Sequence, residues 1–408
     1  MKRVTVFMMG IVLLGLTGTV WAGDTLLKTL QNKGVLTEEE ASAIMTEQEK
    51  ERKSVLPKAL EGLSVGGVAF IDYSAGTTGK NGTDFNKFSL TRGYINVKKD
   101  ITPWLKARIT PDITLISANI KGTDSSGDTI DLPNSQKGDL ELRMKYYYGD
   151  FLIPGYGLLT DNDLRVGLAQ MPWIDFQETI NIYRMQGVMF QERFGNFDSS
   201  DLGVGLIGNW GGKLSKELQE QVGYATPYNG RYGSYHIGVY NGAGYHATED
   251  NQNKIIEGRI TIRPLPDATP GLQVTYLGIS GKGNKAANPD WSNNSAFISY
   301  QNRQIVLTGE YALAKGNQKG DDEKDKTGYS IFGDFRLPFC EGLAIMARYD
   351  VWDPDTDASN DKEKLTIGGV SYRVLGNNYL LVAYEQRQYD KPGDKDDKKG
   401  QVVFQVSF

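Results

Sequence analysis

The chain has 408 residues, with 50 acidic against 45 basic side chains and a formal net charge of −5. That balance disfavours nucleic acid as a partner. A single cysteine, Cys340, rules out an internal disulfide and any haem or zinc motif built around it; it is expected in a tight turn with no chemistry.

Lys2 and Arg3 form a positive n-region, Val4 to Val20 an apolar h-region, and Val20-Trp21-Ala22 a small-residue cleavage site before Gly23. This is the pattern of a secretory signal peptide over residues 1–22. The apolar run sits at the lower limit for a membrane-anchor helix, the alternative reading. Losing Lys2 and Arg3 would leave 43 basic and 50 acidic residues, a net charge of −7. Past this segment no run of 18 apolar residues occurs, so no transmembrane helix is expected. A barrel needs no such run, because only alternate residues face lipid.

Residues 23–57 read as a short helical or coiled-coil periplasmic segment. Leu26, Leu27, Leu30, Val35, Ile44 and Met45 supply its apolar positions, and Gly34 ends a first helix. Thr37-Glu38-Glu39-Glu40 is a capping box opening a second. From Leu63 onward the period changes to two. Leu140, Leu142, Met144, Tyr146 and Tyr148 share one face, with Glu141, Arg143, Lys145 and Tyr147 on the other. Ile256, Gly258, Ile260 and Ile262 oppose Glu257, Arg259, Thr261 and Arg263 in the same way. Val402, Phe404, Val406 and Phe408 alternate with Val403, Gln405 and Ser407. Charges on so many inner faces argue against a soluble sandwich. Aromatics at strand ends (Trp104, Tyr146 to Tyr148, Trp173, Tyr240, Trp291, Tyr349, Trp352, Tyr389) suggest the girdle of a membrane barrel over residues 62–408.

Strand parity gives the count. Going back from Phe408, long charged loops (Asp390 to Lys399, Asp353 to Glu363, Lys315 to Lys326, Gly281 to Trp291, Asn241 to Asn253) alternate with tight turns (Leu375 to Asn378, Pro338 to Gly342, Gln301 to Arg303, Pro264 to Gly271) through ten strands. Six more run forward from Leu63 to Trp210. The expected fold is all-β: a 16-stranded antiparallel transmembrane β-barrel, wide enough for a water-filled lumen. Lys216 to Tyr228 is the odd segment, read as an elaborated periplasmic connection within Gly211 to Arg231. An 18-strand barrel is the alternative.

The loop 171–200 differs from the others. Trp173, Ile174, Phe176, Ile180, Ile182, Tyr183, Met185, Val188, Met189, Phe190, Phe194 and Phe197 are too apolar for an external loop. Folded into the lumen, it would bring Asp175, Glu178, Arg184, Glu192 and Arg193 to a constriction. Packing on a neighbouring subunit is the other reading.

Three stretches resemble the phosphate-selective porin O and P family. Asp163-Leu164-Arg165-Val166-Gly167-Leu168-Ala169-Gln170-Met171-Pro172-Trp173 looks like the strand entering that family's third external loop. Gln191-Glu192-Arg193 followed by Asp201-Leu202-Gly203-Val204 looks like the loop's exit, and Tyr235-His236-Ile237-Gly238-Val239-Tyr240-Asn241-Gly242 like the next up-going strand. The N-terminal helical pair and the closing aromatic residue also match. The resemblance implies a 16-stranded trimeric porin in the outer membrane of a Gram-negative bacterium. Its partners would be outer-membrane lipid and lipopolysaccharide, two further copies of itself, and small anions or hydrophilic solutes. The family's phosphate-selective members carry rich arginine ladders. Leu90-Thr91-Arg92-Gly93-Tyr94 keeps one arginine, so the barrel and trimer carry over and phosphate specificity does not.

Alternation puts Arg92, Lys106, Arg108, Arg143, Lys145, Arg165, Arg259, Arg263, Arg336, Arg348 and Arg387 inward, with Asp72, Glu141, Glu257, Glu310, Asp334, Asp350 and Glu385. Cations outnumber anions in this set. The expectation is passive diffusion with weak anion preference; lumen charges that pair with each other and only keep the channel wet are the bland alternative. A structural barrel sheathing a partner protein is the competing function. Phe404, Val406 and Phe408 resemble the terminal signal read by the membrane-insertion machinery. Gly203-x-Gly205-x-x-Gly208 is read as a glycine-rich strand, not a dinucleotide fingerprint, since no helix starts at its last glycine. Asp353, Asp355, Asp357, Asp361 and Glu363 resemble a calcium loop, but Ala358 and Lys364 break it; a solvated loop, or one bridging lipid headgroups through divalent ions, remains. His236 and His246 have no paired ligand. No enzyme activity, cofactor or bound metal is expected.

Overall fold

In the computed structural model, residues 60–79, 82–115, 120–123, 129–132, 139–223 and 227–408 are described, with 40–44 and the single positions 30, 33 and 37. The signal peptide, and all of the 23–57 segment except these few positions, lie outside them. The chain divides into two units, Met1–Leu63 and Ser64–Phe408. In the first, the capping box forms: the Glu40 N–H donates to Thr37 Oγ1 at 3.2 Å, and the Thr37 N–H donates to Glu40 Oε2 at 2.9 Å. Residues 40–44 are helical behind it.

The second unit is a closed antiparallel barrel of 16 strands. They are β1 (Leu63–Thr78), β2 (Thr83–Thr102), β3 (Leu105–Leu115), β6 (Leu140–Ile153), β7 (Leu159–Gln170), β8 (Ser200–Trp210), β9 (Gly233–Tyr240), β10 (Ile255–Ile262), β11 (Gln273–Lys282), β12 (Asp290–Gln301), β13 (Ile305–Lys315), β14 (Asp325–Arg336), β15 (Leu343–Asp353), β16 (Glu363–Leu375), β17 (Asn378–Tyr389) and β18 (Asp397–Ser407). The remaining two, β4 (Ile120–Thr123) and β5 (Thr129–Leu132), pair only with each other, within the long β3–β6 connection. Every loop and turn assigned by parity falls between two barrel strands. The odd segment is a helix, Lys216–Val222, held by a Ser215 cap that accepts the Leu218 N–H and closed by Gly223 at φ +91°. Only glycine takes that left-handed C-terminal position at no steric cost. The count is therefore sixteen, not eighteen.

Side-chain alternation builds the two faces. On β10, Ile256, Ile260 and Ile262 are exposed on the outside, whereas Glu257, Arg259 and Thr261 are sealed inside. In water such a face would be a large apolar patch; in a bilayer it is the lipid-facing band. The seam joins β1 to β18, with Ile71 opposite Phe404 and Tyr73 opposite Val402 on the outer face. Gly67 and Phe408 exchange both backbone hydrogen bonds, at 3.0 and 3.1 Å. A Cβ at Gly67 would lie 2.5 Å from the Phe408 ring, so the glycine makes the seat for the terminal aromatic.

Alternation fails at one place in β6. Pro111 of β3 cannot donate to its neighbour, and the register steps there: Thr110 pairs with Tyr146, and Pro111 with Met144. Lys145 is the extra residue of a β-bulge. As a result Lys145, Tyr146 and Tyr148 are buried on the inner side, whereas Tyr147 is outside and 62% exposed. The expected placement of Tyr146 and Tyr148 with Leu142, and of Tyr147 with Lys145, is overturned by this one-residue slip. The girdle is also narrower than expected. Trp104 and Tyr349 are exposed, but Trp173, Tyr240, Trp291 and Trp352 are buried in the interior. Position at a strand end sets height along the barrel; it does not set which face a side chain takes.

The glycines of Gly203-x-Gly205-x-x-Gly208 make room for aromatic and imidazole rings. A Cβ at Gly203 would meet Tyr240; one at Gly205 would lie 2.7 Å from His236 Nε2; one at Gly208 would meet the Tyr235 hydroxyl. His236 in turn hydrogen-bonds the Tyr240 hydroxyl at 2.9 Å.

Candidate functional site: the barrel interior

The segment 171–199 packs on the inner wall, its chain turned by two short helices, α1 (Ile174–Glu178) and α2 (Phe190–Arg193). Its apolar residues form one face. Trp173, Ile174, Phe176, Ile180, Met189 and Phe190 are all essentially buried. Trp173 lies edge-on to Phe297 at 5.8 Å, Phe190 edge-on to Trp352 at 5.6 Å, and Phe194 stacks on Trp352 at 5.7 Å. Each large apolar side chain removed from water contributes about 1.5–3 kcal/mol, so this face alone fixes the loop to the wall.

Polar anchors set its register. Glu310 of β13 accepts from Trp173 Nε1 at 3.1 Å, Gln177 Nε2 at 2.6 Å and Gln191 Nε2 at 2.7 Å. Tyr183 donates to Asp334 of β14 at 2.7 Å and meets Ser371 of β16 at 2.8 Å. Gln186 and Arg193 both donate to Glu385 of β17. Arg348 of β15 pairs with Asp350 at 2.7 Å and donates to the Val188 carbonyl at 3.0 Å; Arg259 of β10 donates to the Pro172 carbonyl at 3.1 Å. Burial of such charges is tolerated because each has a partner.

The inward residues named from the sequence thus divide. Arg259, Arg263, Arg348, Glu257 and Glu310 face inward but are at most 5% exposed. Arg259, Arg348 and Glu310 bond directly to the loop. Arg263 donates to the Gly230 carbonyl in the β8–β9 connection. Arg336 pairs with Asp334 and Arg387 with Glu363. On the other side, Arg165 pairs with Asp150 at 2.7 Å, and Arg108 bonds Asn96 and Thr110. Glu141 and Lys106 are exposed. Of the five loop charges, Asp175 accepts from the Tyr228 hydroxyl at 2.7 Å and Arg193 is tied to Glu385. The other three group together: Arg184 lies 2.9 Å from Glu178 and 3.9 Å from Glu192.

Facing this group is the wall of β2, β3 and β6. Arg92 and Arg143 share Asp112, at 2.7 and 2.9 Å. Lys145 between them interacts electrostatically with Glu178 and Arg184 of the loop. Its ammonium lies 4.9 Å from the ring centre of Tyr94, 5.5 Å from that of Tyr146 and 5.9 Å from that of Tyr245. Arg108 sits over Tyr146 and Arg165 over Tyr148. Side chains on both sides keep contact with solvent: 23% for Arg92, 27% for Arg143 and 26% for Glu178. Partial burial pushes the Glu178 carboxyl up, helped by Glu192 and Asp175, against the lowering pull of Arg184 and Lys145. Asp112, Asp150, Tyr94 and Tyr245 were not singled out from the sequence. Tyr245 comes from the 241–254 loop, which has no apolar run to mark it as turning inward.

Among the described residues no three His, Cys, Asp or Glu side chains group as metal ligands. In the calcium-like loop, Asp353 pairs with Lys362, Asp355 with Lys324 and Glu363 with Arg387. Cys340 is free, in the β14–β15 turn.

No family model matches the chain, and no curated protein does. Solved structures do. An anion-selective porin from Comamonas acidovorans aligns with a TM-score of 0.55 at 11% identity, over 85% of this chain and 99% of that one. OmpF of Salmonella typhi in complex with daunomycin gives 0.54 at 12%, over 85% and 97%. A loop L8 deletion mutant of OmpT, an outer membrane protein of Vibrio cholerae, gives 0.52 at 10%, over 85% and 99%. At these identities the likeness is one of fold.

Proposed function

We propose that this barrel is an outer-membrane porin through which small hydrophilic solutes and ions diffuse passively, with a weak preference for anions. The observation that carries the reading is a set of charges facing one another across the interior. Arg92 and Arg143, which keep contact with solvent, stand on one side with the buried Lys145, and Glu178, Arg184 and Glu192 stand on the other. A barrel of this width leaves room for water, and fixed charge at its narrowest level sets the local potential for ions. With Asp112 included, the six side chains and their shared carboxylate sum to four positive and three negative charges. The porin fold of the neighbours supports the same reading, and one of them is described as anion-selective.

The chain is exported through the cleaved signal 1–22 and takes its place among outer-membrane lipids and lipopolysaccharide, inserted through the terminal Phe404, Val406 and Phe408. It assembles as a homotrimer. The 23–57 segment is a periplasmic helical element. The single arginine of the barrel stretch Leu90 to Tyr94, Arg92, does not support phosphate selectivity. Planar-bilayer recording under a potassium chloride gradient tests the function. Stepwise conductance with a reversal potential of anion-selective sign is expected. Absence of steps overturns the pore, and a cation-selective sign overturns the preference.

A further inference from the structure

Lys145 is unusual for its setting. The residue is 3% exposed, yet among the described residues no carboxylate lies within ion-pairing distance of it. Its polar contact is the Tyr94 hydroxyl at a long 3.4 Å, and three tyrosine rings take up the space around it. A buried ammonium without a counter-charge is costly. The neighbours add to the imbalance: Arg92 and Arg143 share Asp112, and both bond to the same oxygen, Oδ2. Among the described residues, Arg143 bonds Asp112 through Nε and Nη2 and finds no acceptor for Nη1, and Arg92 bonds it through Nη1 alone. Two cations therefore share one carboxylate with a third beside them, and both guanidinium side chains keep contact with solvent.

The tyrosines add a second kind of recognition. Tyr245 donates no ordinary bond to the wall; it rests on Arg143, 5.3 Å from the guanidinium carbon to the ring centre, with its hydroxyl a long 3.4 Å from Nη2. Tyr94 and Tyr245 are only half-buried. A ring with a cation on one face is polarised so that its free face and edge attract a second, electron-rich ring.

We propose that Arg92, Arg143 and Lys145, with Tyr94 and Tyr245, form a binding station for a small ring-bearing carboxylate, such as an aromatic monocarboxylate. The carboxylate takes the unused guanidinium donors and supplies the counter-charge that Lys145 lacks; the ring lies against Tyr245 and Tyr94. The β-bulge at Lys145 is what makes the station, because it turns Lys145 and Tyr146 inward side by side. This inference rests on the pore reading for its role in transport but not for binding itself.

The test uses the full chain in planar bilayers, with benzoate, acetate and inorganic phosphate added in turn to potassium chloride. Benzoate is expected to reduce the current at concentrations at least tenfold below those needed for acetate or phosphate. Lys145→Met should weaken block by benzoate and acetate alike, and Tyr245→Leu should remove the advantage of benzoate over acetate. Equal block by all three anions, or a Tyr245→Leu variant that keeps the benzoate advantage, overturns the station. Titration calorimetry of the detergent-solubilised protein with benzoate gives a second readout. Heat of binding without conductance steps leaves the station and removes the pore; steps without benzoate preference do the reverse.

Discussion

The two halves of the barrel wall use inward charge in different ways. From β10 to β17 the inner face is covered by the 171–199 segment, and its charges serve as attachment points. Glu310, Asp334, Arg348 and Glu385 each bond directly to loop atoms. From β2 to β7 the face is only partly covered: Lys145, Tyr146 and Tyr148 are buried, but Arg92 and Arg143 remain in contact with solvent beside a single shared carboxylate. Both halves read alike in sequence, as polar residues at every second position. A charge inside a barrel therefore acts on a passing solute only where nothing of the chain's own has already claimed it.

The largest effect should come from detaching the loop. Glu310→Ala leaves the buried Trp173 and Gln177 donors without an acceptor, whereas Gln191 keeps Ser295, at about 1 kcal/mol or more for each donor lost. A loss of about 2 kcal/mol in denaturant unfolding is expected, with larger and noisier conductance steps. An unaltered step size would break the division between the two walls. Next is a charge deletion on the covered wall. Arg348→Met strands Asp350, breaking a buried pair at a cost of about 3 kcal/mol, but should leave the sign of ion selectivity intact. On the facing wall the reverse holds: Arg143→Gln with Lys145→Met should move the reversal potential towards cation selectivity. If Arg348→Met shifts selectivity as much as this pair does, the comparison fails.

A smaller effect is expected at the glycine stripe. Gly205→Val would push a side chain into His236 and Tyr240, costing about 1–3 kcal/mol as an overpacked site, readable as a lower unfolding midpoint without a change in selectivity. The smallest concerns pH. The Glu178 carboxyl is raised, so as pH falls it takes up a proton before an ordinary glutamate does. One negative charge is then lost opposite Lys145, and anion preference should strengthen between pH 7 and pH 5, by less than about twofold. Reversal potentials at the two pH values check this; a weakening would show that Glu178 does not face the ion path.

Much of the architecture could be read from the residues because each turn and each alternation is a local signal. The tight turn at Leu375 to Asn378, the charged run at Asp390 to Lys399 and the odd Lys216 to Tyr228 segment fixed strand parity without any long-range information. The interior was less readable. The slip that turns Tyr146 inward originates in Pro111, on the neighbouring strand, and a proline in a non-edge strand was the one available hint. The sealing of Arg259 and Arg348 depends on where a distant loop settles, and the inward reach of Tyr245 on a loop with no hydrophobic pattern. Such placements are decided by tertiary packing.

The bond between Gly67 and Phe408 joins the first strand of the barrel to its final residue, about 340 positions apart. Until both ends of the polypeptide are present, β1 and β18 each expose an unpaired edge, which lipid cannot satisfy. The ring is therefore an all-or-nothing object in synthesis as well as in structure. A ribosome that stops a dozen residues short leaves β1 without its neighbour, and a partial chain has no stable resting form in the bilayer.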